Sequence, residues 1–450
     1  MISNATNLAL PHEPEIVRIA PRADRRVVYA IFALIFCNLV AVASTQIMNI
    51  LVDPMKADLG ISDVEFSLLQ GAAFFIFASL FALPAARLAD RGLRRNVILF
   101  GIVGWTIATA GCAVSRSYAE LFVARIFVGI GEVFLYPAAL SLISDIVPQR
   151  RLGIATALFV SGTPLGSAAA MFGGGWLLSN WSRVGPVLHL EALVAWRVAF
   201  GACALFGLAA GLLALGVPEP QRAIGANDAD LNSTSGKAKG LVEYVRDHRL
   251  AFGGTVLGLL SLSLAAVAVM TWLPSLFVRT YGLAFAEVGR IMALALVAFA
   301  GSGTWICGYF VDVLGARGRN DAPILVMGVS VIGIAVAAAL MAMVHALPVA
   351  IALLCVMYIV VMAPGATAPL AFGRLALPHL RAQVFALYFL LTNLIAGGLG
   401  PSTVALLTDR FFRDPGAVGY SMALVAGACA VISVAAFAVS LPAYLRRAQG

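Results

Sequence analysis

The sequence predicts an all-α integral membrane protein with twelve transmembrane helices in two six-helix pseudo-symmetric bundles. Three observations carry that expectation. Of the 450 residues, 61% are hydrophobic and only 12% charged, whereas about a quarter of the residues of soluble domains are charged. Apolar runs long enough to cross about 30 Å of hydrocarbon as a helix recur along the whole chain. A sequence repeat with an offset of 222 residues relates the second half to the first.

The elements follow in order. The first span, 28–51, lies behind Arg18, Arg22, Arg25 and Arg26; it is too long and too late for a cleaved signal peptide, so the N-terminus is expected to be retained. The second, 64–86, is opened by "LGISDVEFS", and the third, 96–114, follows the basic string "DRGLRR". The fourth, 119–145, holds "FVARIFVGIGEVFLY"; the fifth, 152–180, holds "SGTPLGSAAAMFGGG"; the sixth, 194–216, opens near "WRVAF". Hydrophobicity then collapses into "GANDADLNSTSGKAKG", a polar linker. The next string, "LVEYVRDHRL", reads as a short interfacial helix. Six more spans complete the pattern, at 253–279, 286–311, 322–344, 347–370, 382–408 and 417–444. The expected organisation is a first bundle over 1–216, a linker over 217–250 and a second bundle over 251–450.

Twelve spans put both termini on one side, and the Lys/Arg distribution selects which. With the N-terminus inside, 21 of the 30 Lys and Arg lie on that side and eight lie outside or near the outer helix ends. Without the five in the long central loop, sixteen against eight still predicts an inner-membrane protein with cytoplasmic termini. The net charge of +8 is therefore a topology signal and gives no support to nucleic-acid binding. Six cysteines, all in apolar runs with no CxxC pair, read as small buried hydrophobes. The five histidines lie in tails, loops or helix ends, which leaves little material for a metal site or a proton relay, and no cofactor is expected.

The repeat aligns Gly60 of "LGISDVEFS" with Gly282 of "YGLAFAEVG", Glu65 with Glu287, and Asp90 with Asp312. Two six-helix halves in parallel repeat resemble the major facilitator superfamily, which implies a substrate site near the bilayer midplane between halves that rock against each other. "ARLADRGLRR" resembles that superfamily's loop signature, with Ala86 in place of its first glycine. On this resemblance Asp90, Arg91, Gly92, Arg94 and Arg95, together with Asp312, form a cytoplasmic gate in which Asp90 latches one of two states. The alternative is that the arginines only anchor topology.

The costliest residues stand in the fourth span. Intramembrane charges normally mark a function. Arg125 and Glu132 lie on one helical face about 10 Å apart along the axis, with Gly129 between them and Tyr136 one turn on. Glu132 is the carboxylate placed nearest mid-membrane. Desolvation and a nearby cation act on it in opposite senses, so alternating access can change its protonation. A static polar anchor is the competing possibility. Ser44, Thr45, Trp272, Tyr358, Tyr388 and Asn393 complete the candidate cavity residues, each with ordinary packing or interhelical bonding as its alternative. Small residues and Pro164 and Pro401 in the fifth and eleventh spans fit either a hinge or tight packing.

Strings across both halves are similar to the spinster-like branch of the superfamily: "EFSLLQGAAF", "ARLADRGLRRNVI", "ARIFVGIGEV", "SDIVPQRRLGIATALF", "GTPLGSAAA", "WRVAF" and "RAQVFALYFLLTNLIAGGLGP". The resemblance implies secondary transport, proton-linked, of amphipathic substrates such as lysophospholipids or sphingoid lipids. It carries Glu132 and Arg125 over as functional positions. One departure stands out: that branch commonly carries Asn-Tyr-x-Asp-Arg on the first helix, where this chain has Ala41, Val42, Ala43, Ser44 and Thr45.

The expected function is alternating-access transport of a small amphipathic or organic-anion substrate with protons, by a monomer surrounded by membrane lipid. A drug or organic-anion exporter, a uniporter, and a non-transporting sensor are the alternatives. An enzyme is not expected, because no clustered histidines, nucleophile elbow or phosphate loop is present in the sequence.

Overall fold

The protein is described by a computed structural model covering residues 25–219, 241–377 and 380–448; the side chains of Asp90 and Arg91 and most of the expected polar linker lie outside the described residues. Among the described residues, twelve helices are long and apolar enough to span a membrane. They are α1 Arg25–Leu59, α2 Asp63–Ala89, α3 Arg94–Val114, α4 Tyr118–Ile146, α5 Arg150–Val187 and α6 Ala195–Leu215, then α7 Arg249–Arg279, α8 Phe285–Ala316, α9 Ala322–Met343, α10 Leu347–Leu375, α11 Gln383–Phe412 and α12 Pro415–Arg447. A short helix forms over Leu241–Asp247, within the string read as interfacial.

Several helices outrun their hydrophobic signal. α1 continues eight residues past the expected end because the charges that end the apolar run find partners. Asp53 and Lys56 pair with Arg279 and Asp63, and Asp58 accepts from Trp196 Nε1 at 3.0 Å and pairs with Arg197 at 3.1 Å. Within α4, the regular hydrogen-bond ladder lapses at Val133–Phe134, directly after Glu132, while both residues keep right-handed helical dihedrals. Pro137 has no N–H to return to the Val133 carbonyl. α10 breaks likewise at Met362, two residues before Pro364.

The repeat is visible in the backbone. Gly60 and Gly282 adopt the same left-handed conformation, φ 65° and 66°, which an L side chain disfavours. Glu65 and Glu287 each reach back to accept from the backbone N–H at the start of their helix, Ser62 at 2.8 Å and Ala284 at 3.3 Å. α2 and α8 then each contain one π-helical turn, Ala72–Ile76 and Leu296–Ala300.

The halves meet mainly on the side of Gly60 and Gly282, away from the termini. There one apolar core includes Met48, Leu51, Phe66 and Leu69 from the first half with Leu273, Leu276 and Val404 from the second. α2 meets α11 and α5 meets α8 through glycines: a Cβ on Gly71 would overlap the Gly398 carbonyl, and Gly175 and Gly289 face each other's helix backbones. On the terminus-bearing side the first half keeps a separate core of Ala33, Leu34, Ala138, Leu142 and Phe159. Among the described residues, no helix pair from opposite halves packs extensively beyond the middle of that side. The molecule is thus closed at one face and parted at the face bearing its termini.

Candidate functional site

Arg125 is fully buried. Gly129, one turn on, lets α4 press against the π-helical turn of α2, since a Cβ there would overlap the Phe74 carbonyl. That approach sets the guanidinium 5.1 Å from the centre of the Phe74 ring and lets Nε donate to the Leu69 carbonyl at 3.4 Å. Nη1 and Nη2 have no partner among the described residues. An unpartnered buried guanidinium is expensive, and an anion would satisfy it.

Glu132 ends the first segment of α4 and forms no ion pair with Arg125. Its Oε2 instead accepts from Thr45 Oγ1 at 2.6 Å. Thr45, one of the two hydroxyl residues that stand out against the first-helix string of the resemblance, is therefore the partner of Glu132. Ser44 bonds back to its own helix, Oγ donating to the Ala41 carbonyl at 2.7 Å. Tyr136 lies beyond the break in α4; it is exposed, with its ring 5.3 Å from Phe159.

Three amides that the sequence reading passed over extend the polar region. Asn49 Nδ2 donates to Gln46 Oε1 at 3.1 Å, and Gln70 Nε2 donates to Asn49 Oδ1 at 2.9 Å. Gln46 adjoins Thr45 and Gln70 adjoins Leu69, so the amides bridge the neighbourhoods of Glu132 and Arg125. Gln46 and Asn49 at i, i+3 inside an apolar helix were the available signal.

The second-half candidates are dispersed. Trp272 is fully buried, with Nε1 donating to the Pro401 carbonyl at 2.9 Å. Tyr388 is buried against Phe372 with its hydroxyl 3.3 Å from Ser263 Oγ, and Tyr358 is buried in the core. Asn393 sits in a π-helical turn of α11, with Nδ2 donating to the Phe389 carbonyl at 3.0 Å.

At the terminus-bearing face, Gly92 ends α2 with its N–H on the Leu88 carbonyl at 2.8 Å. Arg94 is buried, donates to Ser141 Oγ at 3.1 Å and pairs with Asp145 and Glu219. The Glu219 carboxylate accepts from the backbone N–H groups of Arg94 at 3.2 Å and Arg95 at 2.6 Å, capping α3. These contacts join the first half to the start of the linker and reach no residue of the second half. Asp312 is exposed and has no ion pair among the described residues. Asp90 and Arg91, whose side chains fall outside the described residues, carry no geometry here.

The opposite face holds a network built on two of the eight cations expected outside, Lys56 and Arg279, with Asp53 and Asp63 as partners the sequence did not single out. Arg279 of α7 grips buried Asp63 of α2 with two bonds of 2.8 and 2.9 Å and donates Nε to Asp53 of α1 at 2.8 Å; Lys56 also pairs with Asp63. Two backbone caps join the halves beside it. Val64 N–H of α2 donates to Asp409 Oδ2 of α11 at 2.9 Å, and Ala286 N–H of α8 donates to Ser179 Oγ of α5 at 2.9 Å. Val64 and Ala286 are themselves 222 residues apart.

Among the described residues, no group of three His, Cys, Asp or Glu side chains is arranged to hold a metal.

A family model described as Major Facilitator Superfamily matches residues 34–401. An MFS-type efflux pump of Mycolicibacterium smegmatis is 29% identical over 384 residues, 84% of this chain and 83% of the relative. A gallate transporter of Pseudomonas putida is 26% identical over 173 residues, 37% of this chain and 38% of the relative. Among solved structures, a bacterial homologue of the human lysosomal transporter spinster, in an inward-facing and unoccupied conformation, superposes with a TM-score of 0.77 at 20% identity, covering 95% of this chain and 98% of that one.

Proposed function

The chain belongs to the major facilitator superfamily, and from that premise we propose that it moves a small amphipathic or organic anion by alternating access, coupled to protons through Glu132. The observation that carries the proposal is the pair of unpartnered Arg125 terminal nitrogens, buried on the helix that also presents Glu132 to Thr45. Arg125 receives the anionic group of the substrate. Glu132 carries the exchangeable proton, with the Thr45 hydroxyl turning from donor to acceptor when the carboxyl is protonated. The Arg279–Asp53–Asp63 network is the gate that holds the outer face shut while the terminus-bearing face, taken as cytoplasmic from the Lys/Arg distribution, is open.

Direction and cargo each rest on one likeness. The likeness to an efflux pump over most of the chain supports export, and the partial likeness to a gallate transporter supports an organic anion as cargo. Flux of a fluorescent lysolipid and of an aromatic carboxylate into proteoliposomes, with and without an imposed pH gradient, tests both. The expected result is gradient-driven movement of at least one probe, loss of the gradient response in Glu132→Gln, and loss of binding in Arg125→Gln. Flux that ignores both gradient and Glu132→Gln would refute proton coupling through this carboxylate.

A further inference from the structure

A second polar concavity lies where the Leu241–Asp247 helix meets the ends of α7 and α12 on the terminus-bearing face. His248, Arg249, Arg446 and Arg447 line it, against one carboxylate, Asp247. Its volume of about 370 Å³ far exceeds that of a single water and accommodates a phosphodiester.

Tyr244 fixes the shape of this pocket. Its side chain is buried, its hydroxyl donates to the Leu375 carbonyl at 3.0 Å and accepts from Arg447 Nε at 3.0 Å, and its ring lies 5.7 Å from the Arg447 guanidinium. The short helix is thereby pinned to α10 and α12, and Arg447 is held in place with its terminal nitrogens uncommitted. Arg249 and Arg446 are exposed and form no ion pair among the described residues. The macrodipole accounts for cations at the C-terminal end of α12, but it disfavours Arg249 in the first turn of α7. A bound anion would relieve that clash and neutralise the cluster.

We propose that this pocket binds the phosphate of an anionic phospholipid, contacted by Arg249, Arg446 and Arg447. A lipid is favoured over a free anion because the rim is apolar, with Leu250 and Ala443, and because both flanking helices run directly into the spanning region. Basic pockets between the ends of spanning helices recruit headgroup phosphates.

Native mass spectrometry of the full chain, titrated with phosphatidylglycerol, phosphatidylcholine or inorganic phosphate, tests this without any transport readout. Wild type is expected to hold phosphatidylglycerol more tightly than phosphatidylcholine, and Arg249→Gln/Arg446→Gln to bind it about 30-fold more weakly. Arg116→Gln/Arg183→Gln, at the opposite face, should bind as wild type. Should the double variant not be recovered folded, the exposed single substitution Arg446→Gln carries the test, with an expected loss of about fivefold. Equal retention of the two lipids, or undiminished phosphatidylglycerol binding in the variants, overturns the site. Inorganic phosphate that displaces the lipid at equal concentration overturns the lipid as its occupant.

Discussion

At the scale of single residues, Thr45 separates a coupling carboxylate from a passive one. If the Thr45–Glu132 bond at 2.6 Å positions the proton acceptor, Thr45→Val should cut gradient-driven flux about tenfold, in line with the loss of a bond to a charged group. Thr45→Ser should restore it. Equal flux in all three proteins would make the bond incidental. Gly129→Ala makes a different prediction: its Cβ would meet the Phe74 main chain, which cannot step aside as a flexible side chain can. A loss of stability of about 1–3 kcal/mol is expected, read as a lowered thermal midpoint. The charges of this site were legible in the sequence because Arg and Glu are conspicuous in an apolar run. The partners were not: nothing local says that Thr45 faces Glu132 or that Leu69 offers its carbonyl to Arg125.

At the scale of elements, the sequence marks spans by hydropathy and turns by glycine, and both survive in the structure, down to the matched left-handed Gly60 and Gly282. Interruptions were harder to see. Pro137 and Pro364 lie within continuous apolar runs, so hydropathy reads through them, while the helical hydrogen-bond ladder lapses just before each. The extension of α1 past residue 51 depends on long-range charge pairing, which no local pattern encodes. α3 supplies a test at this scale. Glu219→Ala removes the carboxylate from the Arg94 and Arg95 N–H groups and should cost about 1–2 kcal/mol. Thermal melting in detergent measures it.

At the scale of the whole molecule, Arg279 ties three helices from two halves across one face. Arg279→Ala would leave Asp63 buried with Lys56 alone. Breaking such a buried pair costs about 3 kcal/mol, which corresponds to roughly a 100-fold shift in the ratio of closed to open states of this face. A cysteine placed at Ser67, which is buried against Ser402 Oγ at 3.0 Å, reports that opening in a background lacking the six native cysteines. Labelling by an impermeant maleimide should be slow with Arg279 present and much faster with Arg279→Ala. Unchanged labelling would show that the apolar contact between α2 and α11 closes the face by itself. Here the sequence was least informative, because a gate is a relation between two surfaces and each repeat shows only one of them.

The two caps beside the Arg279 network have a consequence for how the protein tolerates change. On one strand of each contact the donor is main chain, the N–H of Val64 or of Ala286, so the identity of the side chain there is immaterial to the bond. The two halves already carry different residues at these matched positions. The acceptors, Asp409 and Ser179, have no such freedom. A saturation library should therefore be permissive at 64 and 286, proline excepted, and restrictive at 409 and 179: the latch has one face on which mutations accumulate silently and another on which they register at once.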